Sequence, residues 1–378
     1  MSWHTNLNVF EHKKIRPNKW SFTKLSQIQK CPKQWQLENN FFANGNRTVP
    51  PLVNISSIRG TLIHLTLEKL TRLFRNDKEH NDVWTFFRKL NVRDKIEKYY
   101  FEEVYPKYET NDRININDIS SKIDFPLCLS KVYSLWGFEI KKINFTPNIN
   151  KNIKQRFGTE FSEETEDPPL IGVIDKYSNS IITDYKTGNK DEDKHKEQAY
   201  FYSYLLYLNN KPIDKVKVLY SNKEELIFDI NEEILNKQKE KINLQLSKID
   251  NYFNSNFPAK PSTEACRFCN VKQMCDQYWI ENNENNIDFI DQEGLSIINI
   301  YRDVEISELI YENEDINLIG IIGTGKTKEF GNVNIKISKK FITFVSKPNK
   351  ARILNAKIIN KSNKISIEVN RVSEVFWL

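Results

Sequence analysis

Two kinds of hydrophobic pattern mark the first two thirds of the chain, and each predicts a different element. Two short apolar runs rich in β-branched residues, LIGVI (170–174) and IITDY (181–185), flank the turn-forming residues 177–180, so we predict that they pair as a β-hairpin. Upstream, apolar residues recur every three to four positions, which predicts an amphipathic helix that opens near Arg59. The predicted apolar stripe of that helix contains Ile63, Leu67, Leu70 and Phe74.

The last quarter of the chain has a third pattern, a series of short β-type runs without a helical period. The runs are LSIINIY, ISELIYE, INLIGIIG, VNIKISK, FITFVS and ISIEV. The segment that follows Trp279 has no periodicity, so we expect a linker near residue 285 and two domains, 1–284 and 285–378. For the second domain we predict a small all-β fold, which is a sandwich or a barrel of the OB-like kind.

Composition and charge narrow the class of protein. With 378 residues, 39% of them hydrophobic, the chain can bury a sizeable core, and a mean hydropathy of −0.61 without a long apolar run argues against a membrane span. The net charge is +6, but residues 281–318 contain eleven acids and one base, whereas 326–364 contain eleven bases and one acid. The basic part is typical of a surface for DNA backbone or single strands, or of a solvated lysine face in a chain rich in Asn, Ile and Lys.

The predicted hairpin carries the clearest candidate chemistry. Side chains two apart on a strand point the same way, so Asp184 and Lys186 share a face, and Asp175 can join them across the hairpin. Two carboxylates at one point favour a hard divalent cation, Mg²⁺ or Mn²⁺. Such an ion can acidify a water molecule and neutralise charge on a phosphate, while the ammonium group orients that water. The D-x-K tripeptide alone also fits an ordinary surface ion pair.

The residues around this hairpin resemble a known family. GVID (172–175) followed by DYKTG (184–188) resembles the core motif of the PD-(D/E)XK nuclease superfamily, in the branch of RecB, AddB and the small CRISPR-associated exonucleases, with Ile174 in place of the name-giving proline. The resemblance implies a restriction-endonuclease-like α/β fold, a mixed sheet flanked by helices, over about residues 20–280. It also implies a metal site at Asp175, Asp184 and the Tyr185 carbonyl, with Lys186 assisting the attacking water.

Two further motifs resemble the same branch. The spacing from Gly60 to His64 is similar to the first motif of RecB-like nucleases, which implies that His64 contacts the metal. A satisfied histidine at the edge of the apolar stripe is the alternative. Gln198 and Tyr202, in the helical run KEQAYFYSYLLYL, resemble a Q-x-x-x-Y pair that faces the active site and positions the lysine or a backbone phosphate. Most other aromatic residues of that helix are expected in the core.

An additional acidic residue is expected just before the hairpin. Members of the family usually carry a Glu on the preceding strand, and Glu160, Glu163 and Glu164 compete for this position. Glu160 is favoured because Phe161 follows it in the manner of the family.

Three cysteines near residue 270, Cys266, Cys269 and Cys275, form the run C-x2-C-x5-C. The first residues, MSWHTNLNVF, lack the apolar core of a signal sequence, so we expect a cytoplasmic protein in which metal ligation is favoured over disulfides. A tetrahedral or cubane site needs a fourth thiolate, from Cys31 or Cys128.

Cys31 lies in a Cys-Pro segment that resembles one in AddB-type nucleases. In those proteins an N-terminal cysteine joins a C-terminal triplet around a [4Fe-4S] cluster, so the resemblance implies the same structural cluster here. Cys128 is then expected to be a buried free thiol. Four thiolates also suit Zn²⁺, and the spacing alone does not separate the two cofactors. Either one would close a very long loop between residues 31 and 266.

The run GIIGTGKT (320–327) satisfies the Walker A pattern G-x4-G-K-[ST]. A phosphate-binding loop also needs a helix whose N-terminus faces the phosphates, whereas the following KEFGNVNIKISKK alternates like a strand. We therefore expect a hairpin turn at this position and no nucleotide binding.

These patterns and resemblances predict a Mg²⁺- or Mn²⁺-dependent DNA exonuclease that acts in DNA repair, recombination or antiviral defence, on single strands or free ends. The alternative is a catalytically silent DNA-binding or scaffold subunit of a helicase-nuclease complex, although Asp175, Asp184 and Lys186 are all present. Because the chain has no helicase segment, we also expect a helicase or defence-complex partner that acts in trans.

Overall fold

The computed structural model of the protein describes residues 14–39, 53–77, 83–109, 111, 113, 116–144, 160–267, 269–282, 297–312, 320–338, 349–361, 364–369 and 373–378. Contacts within the chain define two units. The sheet unit consists of Arg16–Ser26 and Pro50–Asn251, and the barrel unit consists of Met1–Ile15, Gln27–Val49 and Tyr252–Leu378. The predicted domain boundary between residues 284 and 285 lies outside the described residues and stays a prediction.

Helices occupy the described residues that precede the first strand. They are α1 (Phe22–Lys30), α2 (Pro32–Glu38), α3 (Ile55–Asn76), α4 (Val83–Lys89), α5 (Val92–Tyr99), α6 (Ile116–Ser120) and α7 (Phe125–Asn144). Apolar side chains of α3, α5 and α7 pack into one buried cluster, which includes Leu70, Phe74, Ile96 and Trp136. No described helix is both long enough and apolar enough to cross a membrane.

Helix α3 begins at Ile55, four residues before the predicted start near Arg59. The Asn54 side chain accepts a hydrogen bond from the Ser57 amide at 2.8 Å, which satisfies an amide that has no partner inside the helix. This N-cap explains the earlier start. The predicted apolar stripe is confirmed, since all four of its residues are buried.

The strands of the sheet unit form two sheets. β1 (Phe161–Thr165) pairs antiparallel with β2 (Leu170–Ile174), and the second sheet has the order β3 (Lys176–Ser178), β4 (Ile181–Lys186), β5 (Lys215–Tyr220) and β6 (Glu225–Asp229). β4 and β5 are parallel and are joined by helix α8 (Glu192–Leu208), as a parallel pair requires, and α9 (Glu232–Asn254) follows β6. The predicted α/β fold, a mixed sheet with helices, is confirmed.

The predicted pairing of LIGVI with IITDY is wrong. β2, which contains LIGVI, pairs with β1, and the short β3 pairs with β4. The chain bends at Asp175, whose carboxylate accepts a hydrogen bond from the Tyr185 amide of β4 at 2.7 Å. A side chain thus occupies the position of a backbone ladder partner, and the strand is divided there. The predicted turn at 177–180 is confirmed only for Asn179 and Ser180, whose φ angles of 51° and 58° close the β3–β4 hairpin, because Tyr177 and Ser178 belong to β3.

The described strands of the barrel unit are β7 (Ile297–Tyr311), β8 (Gly320–Thr327), β9 (Gly331–Ser338), β10 (Ala351–Lys361), β11 (Lys364–Val369) and β12 (Glu374–Trp377). Their order is β11-β9-β8-β7-β10-β12, and a pairing of β10 with β11 closes the first five into a barrel. β9 and β11 are parallel, whereas the other neighbours are antiparallel. This is the strand connectivity of an OB fold, so the predicted all-β domain is confirmed in its OB-like form.

Individual strands of the barrel differ from their predicted positions. The runs LSIINIY and ISELIYE contribute to a single strand, β7, and the run FITFVS lies outside the described residues. The hydrophobic runs did not predict β10, although this strand closes the barrel through β7 and β11. The Walker-like run forms strand β8, and the turn follows it at 328–330, so a hairpin turn within the run is wrong. The described element that directly follows this run is strand β9 and not a helix, as predicted.

Three short helical pieces precede the barrel strands in the barrel unit. They are α10 (Thr263–Arg267), a 3₁₀ turn (Lys272–Met274) and α11 (Asp276–Asn282). Their side chains form a buried cluster with the barrel, which includes Val271, Trp279, Leu354 and Phe376. The cysteine-rich segment and the barrel therefore share a hydrophobic core.

Helix α8 packs closely against β2 at Gly172. A Cβ atom at this position would lie 2.8 Å from Leu205 Cδ2 and 2.9 Å from Tyr202 Cε1, which is closer than van der Waals contact allows. The lack of a side chain at Gly172 therefore permits the close approach of the helix to the strand. It also determines how near Tyr202 lies to the sheet.

Replacement of Gly172 with Ala should lower the free energy of unfolding of the full chain by about 1–3 kcal/mol, because the added methyl group forces neighbouring side chains to move. Urea unfolding measures the change. Gly188→Ala is the matched control, since nothing lies within 4 Å of a Cβ atom at that position. Equal stability of the two variants would contradict the packing role of Gly172.

Candidate active site and cysteine site

The predicted active-site residues come together in the sheet unit. Asp175 lies at the bend between β2 and β3, Asp184 and Lys186 lie on β4, and His64 lies on α3. The two carboxylate oxygens of Asp175 have separate partners: Oδ2 accepts from the Tyr185 amide at 2.7 Å, and Oδ1 lies 3.5 Å from His64 Nδ1. The bend thereby brings one carboxylate into contact with both β4 and α3.

Lys186 links the second carboxylate to helix α8. Its Nζ lies 2.7 Å from Asp184 Oδ2 and donates to Gln198 Oε1 at 2.9 Å. Gln198 Nε2 donates in turn to the Tyr202 hydroxyl at 3.0 Å. The Q-x-x-x-Y pair therefore lies beside Lys186, which is one of the two placements that the resemblance implied. Its catalytic role stays a prediction.

Two buried carboxylates dominate the electrostatics of this site. Burial raises the pKa of Asp184, Lys186 lowers it and Asp175 raises it, so that the net pKa lies above its usual value. Burial also acts to raise the pKa of Asp175, but the charge and hydrogen bond of His64 and the Tyr185 amide outweigh it, so the pKa falls below its usual value. Neighbouring carboxylates whose pKa values are driven apart mark a candidate functional site.

A pocket lies next to Asp175. It is lined by His64, Leu67, Glu68, Thr71, Trp136, Glu160, Asp175 and Tyr185. Burial acts to lower the pKa of His64, but the charge and hydrogen bond of Asp175 outweigh it, so the pKa of His64 is raised. Burial raises the pKa of Glu160, and Asp175 and Glu68 add to the increase. The pocket thus gathers acidic groups around a histidine that favours its charged form.

The three candidate glutamates before the hairpin differ in their surroundings. Glu163 forms an ion pair with Lys211, and Glu164 forms one with Lys19 at 2.9 Å. Glu160 instead lies at the pocket. The geometry therefore favours Glu160 among the three, and its role as an extra acid stays a prediction. Glu68 also lines the pocket, and the sequence-based prediction did not include it among the site residues.

Within the part of the chain that the structure describes, no three His, Cys, Asp or Glu side chains are arranged around a common metal position. In the active site each carboxylate has another partner, since Asp184 contacts Lys186 and Asp175 contacts His64. The donor set of two carboxylates and one imidazole nevertheless fits a divalent ion that prefers oxygen. Ligation through the same oxygen, Oδ2, would require Asp184 to turn away from Lys186. The ligand roles, including that of the Tyr185 carbonyl, stay predictions.

The sequence patterns did not single out His195 and Tyr220, which adjoin the lysine. His195 lies three residues before Gln198 on α8, and its Nδ1 lies 2.5 Å from the Tyr220 hydroxyl. Tyr220 is the register partner of Lys186 across β4 and β5. Burial and the charge of Lys186 hold the pKa of His195 below its usual value. The spacing 195, 198, 202 along one helix face is the signal that could have identified His195.

The four cysteines predicted to bind a cluster line one pocket in the barrel unit. Its complete lining is Cys31, Gln34, Leu37, Ala259, Lys260, Pro261, Ala265, Cys266, Cys269, Val271, Lys272, Cys275 and Tyr278. Cys31 is the N-cap of α2, where its sulfur accepts a hydrogen bond from the Gln34 amide at 3.4 Å. Cys128 is buried in the core of the sheet unit, as expected, and none of the five cysteines forms a disulfide.

The surroundings of the cysteine pocket disfavour thiolates that have no bound cation. Burial raises the pKa of Cys266 and Cys275, and it raises the pKa of Cys269 to about 12. The lining contains two lysines, Lys260 and Lys272, and no carboxylate. Thiolates in such a pocket need a bound cation, and the lysines would offset the remaining negative charge. The donor set therefore fits a structural zinc ion or an iron-sulfur cluster.

Ion pairs attach the cysteine segment to the barrel. Lys272, which lies between two of the cysteines, forms an ion pair with Asp303 of β7, and Tyr278 donates to the same carboxylate at 2.7 Å. Arg352 of β10 forms an ion pair with Asp276 at 2.8 Å. The cysteine pocket is thus held against two barrel strands.

Comparisons with known proteins bear on the family of the chain. A family model described as "PD-(D/E)XK nuclease superfamily" matches residues 19–276, which include both carboxylates, Lys186 and all the cysteines. The search of curated proteins finds no match. A crystal structure from Eubacterium rectale, described as "Putative exonuclease", is similar to this chain at 10% sequence identity. The alignment covers 66% of this chain and 87% of that chain, and its TM-score is 0.39. The family match spans more than half of the sequence, and the chain therefore belongs to the PD-(D/E)XK nuclease superfamily.

Proposed function

We propose that the protein is a metal-dependent deoxyribonuclease of the RecB-like branch, and that it acts as an exonuclease. The observation that carries this proposal is the contact series Asp184–Lys186–Gln198–Tyr202 beside the buried Asp175. It holds an ammonium group against Asp184, and the charge of Lys186 also reaches Asp175. Two carboxylates near an ammonium group suit phosphodiester hydrolysis with a divalent ion. Membership of a nuclease superfamily supports the reaction class.

Each active-site side chain has a separate role in the proposed reaction. Asp175, Asp184 and His64, with the Tyr185 carbonyl, would hold a divalent ion. When bound, Mg²⁺ or Mn²⁺ would supply a Lewis acid that acidifies a water molecule and neutralises charge on the phosphate. Lys186, freed from its contact with Asp184, would donate to that water or to the phosphate oxygens.

Helix α8 would position the lysine. Gln198 accepts a hydrogen bond from Lys186 and therefore restricts where the ammonium group lies. Tyr202 orients the Gln198 amide through its hydroxyl oxygen. Burial and the charge of Asp184 raise the pKa of Tyr202, so this hydroxyl keeps its proton at neutral pH. Lys186 can thus remain near the substrate after Asp184 turns toward an ion.

The substrate and pathway of the proposal follow from the resemblance to RecB, AddB and CRISPR-associated exonucleases. We infer DNA with free ends or single-stranded regions as the substrate, and DNA repair, recombination or antiviral defence as the pathway. A helicase or defence complex that acts in trans would supply such strands.

Lys186→Ala should bind DNA and lose at least about 100-fold in cleavage rate, because the ammonium group that stabilises charge in the reaction is removed. Digestion of end-labelled single-stranded, duplex and flapped DNA with Mn²⁺ measures the rate, and the products reveal exonuclease or endonuclease action. Lys190→Ala is the matched control, since Lys190 is exposed and pairs with Glu192. Full cleavage by Lys186→Ala would show that the site is assigned wrongly. Binding without cleavage by the wild-type chain would favour a silent DNA-binding subunit.

We further propose that Cys31, Cys266, Cys269 and Cys275 bind a structural [4Fe-4S] cluster. The common pocket that all four cysteines line supports the proposal, since thiolates around one cavity can share a single cofactor. The lack of carboxylates in the lining favours all-thiolate ligation.

Anaerobic purification should yield a brown protein with about four iron and four acid-labile sulfide per chain. Cys31→Ser should lose the colour and the iron, because three thiolates cannot complete the site. Cys128→Ser should keep both, since Cys128 lies in the core of the sheet unit. Iron and sulfide analysis with the visible spectrum measures the outcome. A colourless wild-type protein with stoichiometric zinc would rule out the cluster.

A further inference from the structure

We infer that the outer face of strands β8, β9 and β11 of the barrel, with the adjoining end of β7, is a second binding site, specific for single-stranded DNA. The inference extends the proposed function, on which the choice of DNA rests, by adding a site separate from the cleavage residues. Four properties of this face support it: strand connectivity, alternation of side chains, unpaired lysines and exposed apolar side chains.

The first property is the connectivity of the barrel. β8 pairs with β9 antiparallel, and β9 pairs with β11 parallel, so the three strands form one continuous surface. In OB-type barrels the second and third strands form the surface that binds oligonucleotides, and β8 and β9 occupy those places here. Connectivity does not establish binding, so the side chains must carry the argument.

The second property is the alternation of side chains along β9. Val333, Ile335 and Ile337 point into the barrel core and are buried, whereas the residues between them are exposed. The exposed positions are Asn332, Asn334 and Lys336. Across the ladder these residues face Lys326, Thr324 and Ile322 of β8. The outer face therefore combines amide, hydroxyl and ammonium groups, which can donate hydrogen bonds to phosphates and bases.

The third property is the distribution of charge pairs within the barrel unit. Acidic residues of β7 are engaged by basic residues of the same unit, such as Asp303 by Lys272 and Glu305 by Arg352. The lysines of the outer face differ, since none of them forms an ion pair with any described residue. They are Lys326 and Lys336, and both are exposed, as is Lys328 in the turn that follows β8.

Two acids lie on the same face and limit its positive potential. Glu308 is the register partner of Lys326, and Glu368 is the register partner of Lys336. Glu368 lies 3.8 Å from the ammonium group of Lys357, which offsets its charge. Lys326, Lys328, Lys336 and Lys357 thus outnumber the two carboxylates on and beside the face, and this surplus of ammonium groups is complementary to the phosphates of a nucleic acid.

The fourth property is the exposure of two large apolar side chains among these polar groups. Ile310 of β7 is 57% exposed and Ile322 of β8 is 38% exposed. Both lie next to Thr324 in the ladders, because Ile310 is its register partner and Ile322 precedes it by two residues. Unstacked bases of a single strand can cover such side chains, whereas paired bases of a duplex are enclosed in its stack. This contrast favours a single strand over a duplex.

The test uses the full chain and a fluorescent oligo(dT) of about 30 nucleotides, which is longer than one OB-type site. Anisotropy measured with EDTA, so that no cleavage occurs, gives the affinity at several salt concentrations. Lys326→Gln combined with Lys336→Gln should weaken binding and reduce the slope of log K against log salt by about 1.4, which is about 0.7 for each lost phosphate contact. A blunt duplex of equal length should show a smaller change.

Lys239→Gln combined with Lys248→Gln is the matched control, because both lysines are exposed on α9 and the charge change is the same. An unchanged salt slope in the barrel variant, or an equal change in the control, would overturn the inference and leave a solvated lysine face. An equal loss of affinity for the duplex and for the single strand in the barrel variant would overturn the specificity for single strands. Hydrolysis of bis(p-nitrophenyl) phosphate with Mn²⁺ tests the cleavage site separately, so failure of the proposed nuclease activity is distinguishable from failure of this binding site.

Discussion

The hydrogen bond from the Tyr185 amide to the Asp175 carboxylate is the contact on which the candidate active site depends. It divides a potential long strand into β2 and β3, so that β2 pairs with β1 while β3 pairs with β4. Without the bend, the Tyr185 amide would donate its hydrogen bond to a backbone carbonyl of the neighbouring strand. The Asp175 carboxylate would then not reach β4. The same bend presents the second oxygen of Asp175 to His64. One side chain thereby joins a sheet to helix α3.

Enclosure of two carboxylates would be unfavourable without compensating charge, because burying an unpaired ion is costly. Lys186 supplies the compensation for Asp184, and His64 supplies it for Asp175. A divalent ion would have to compete with these partners. Gln198 matters for this competition, because it gives the ammonium group of Lys186 a second acceptor when Asp184 turns away. The site is therefore arranged so that a divalent ion can replace the ammonium group of Lys186 as the partner of Asp184.

The C-terminal sequence changes from acidic to basic, and the acidic and basic residues have different surroundings in the barrel unit. Acidic residues of the early strand fasten the cysteine segment, through Asp303 with Lys272, or bind Arg352 of β10. Basic residues of the later strands β8 and β9 lie on the outer face. Asp303 and Glu305 thus stabilise contacts within the barrel unit, whereas Lys326 and Lys336 remain available to solvent. A uniform mixture of both charges along these strands would separate these two roles less clearly.

Sequence alone determined the features that depend on geometry within one element, such as the common face of Asp184 and Lys186, the one-turn spacing of Gln198 and Tyr202, and the buried stripe of α3. Period and propensity are local, and they can be counted along the chain. The tertiary structure decided the partner of β2, the closure of the barrel by β10 and the enclosure of Cys31 with the distant cysteine triplet. These depend on contacts between residues far apart in sequence, whose free energy no local pattern contains.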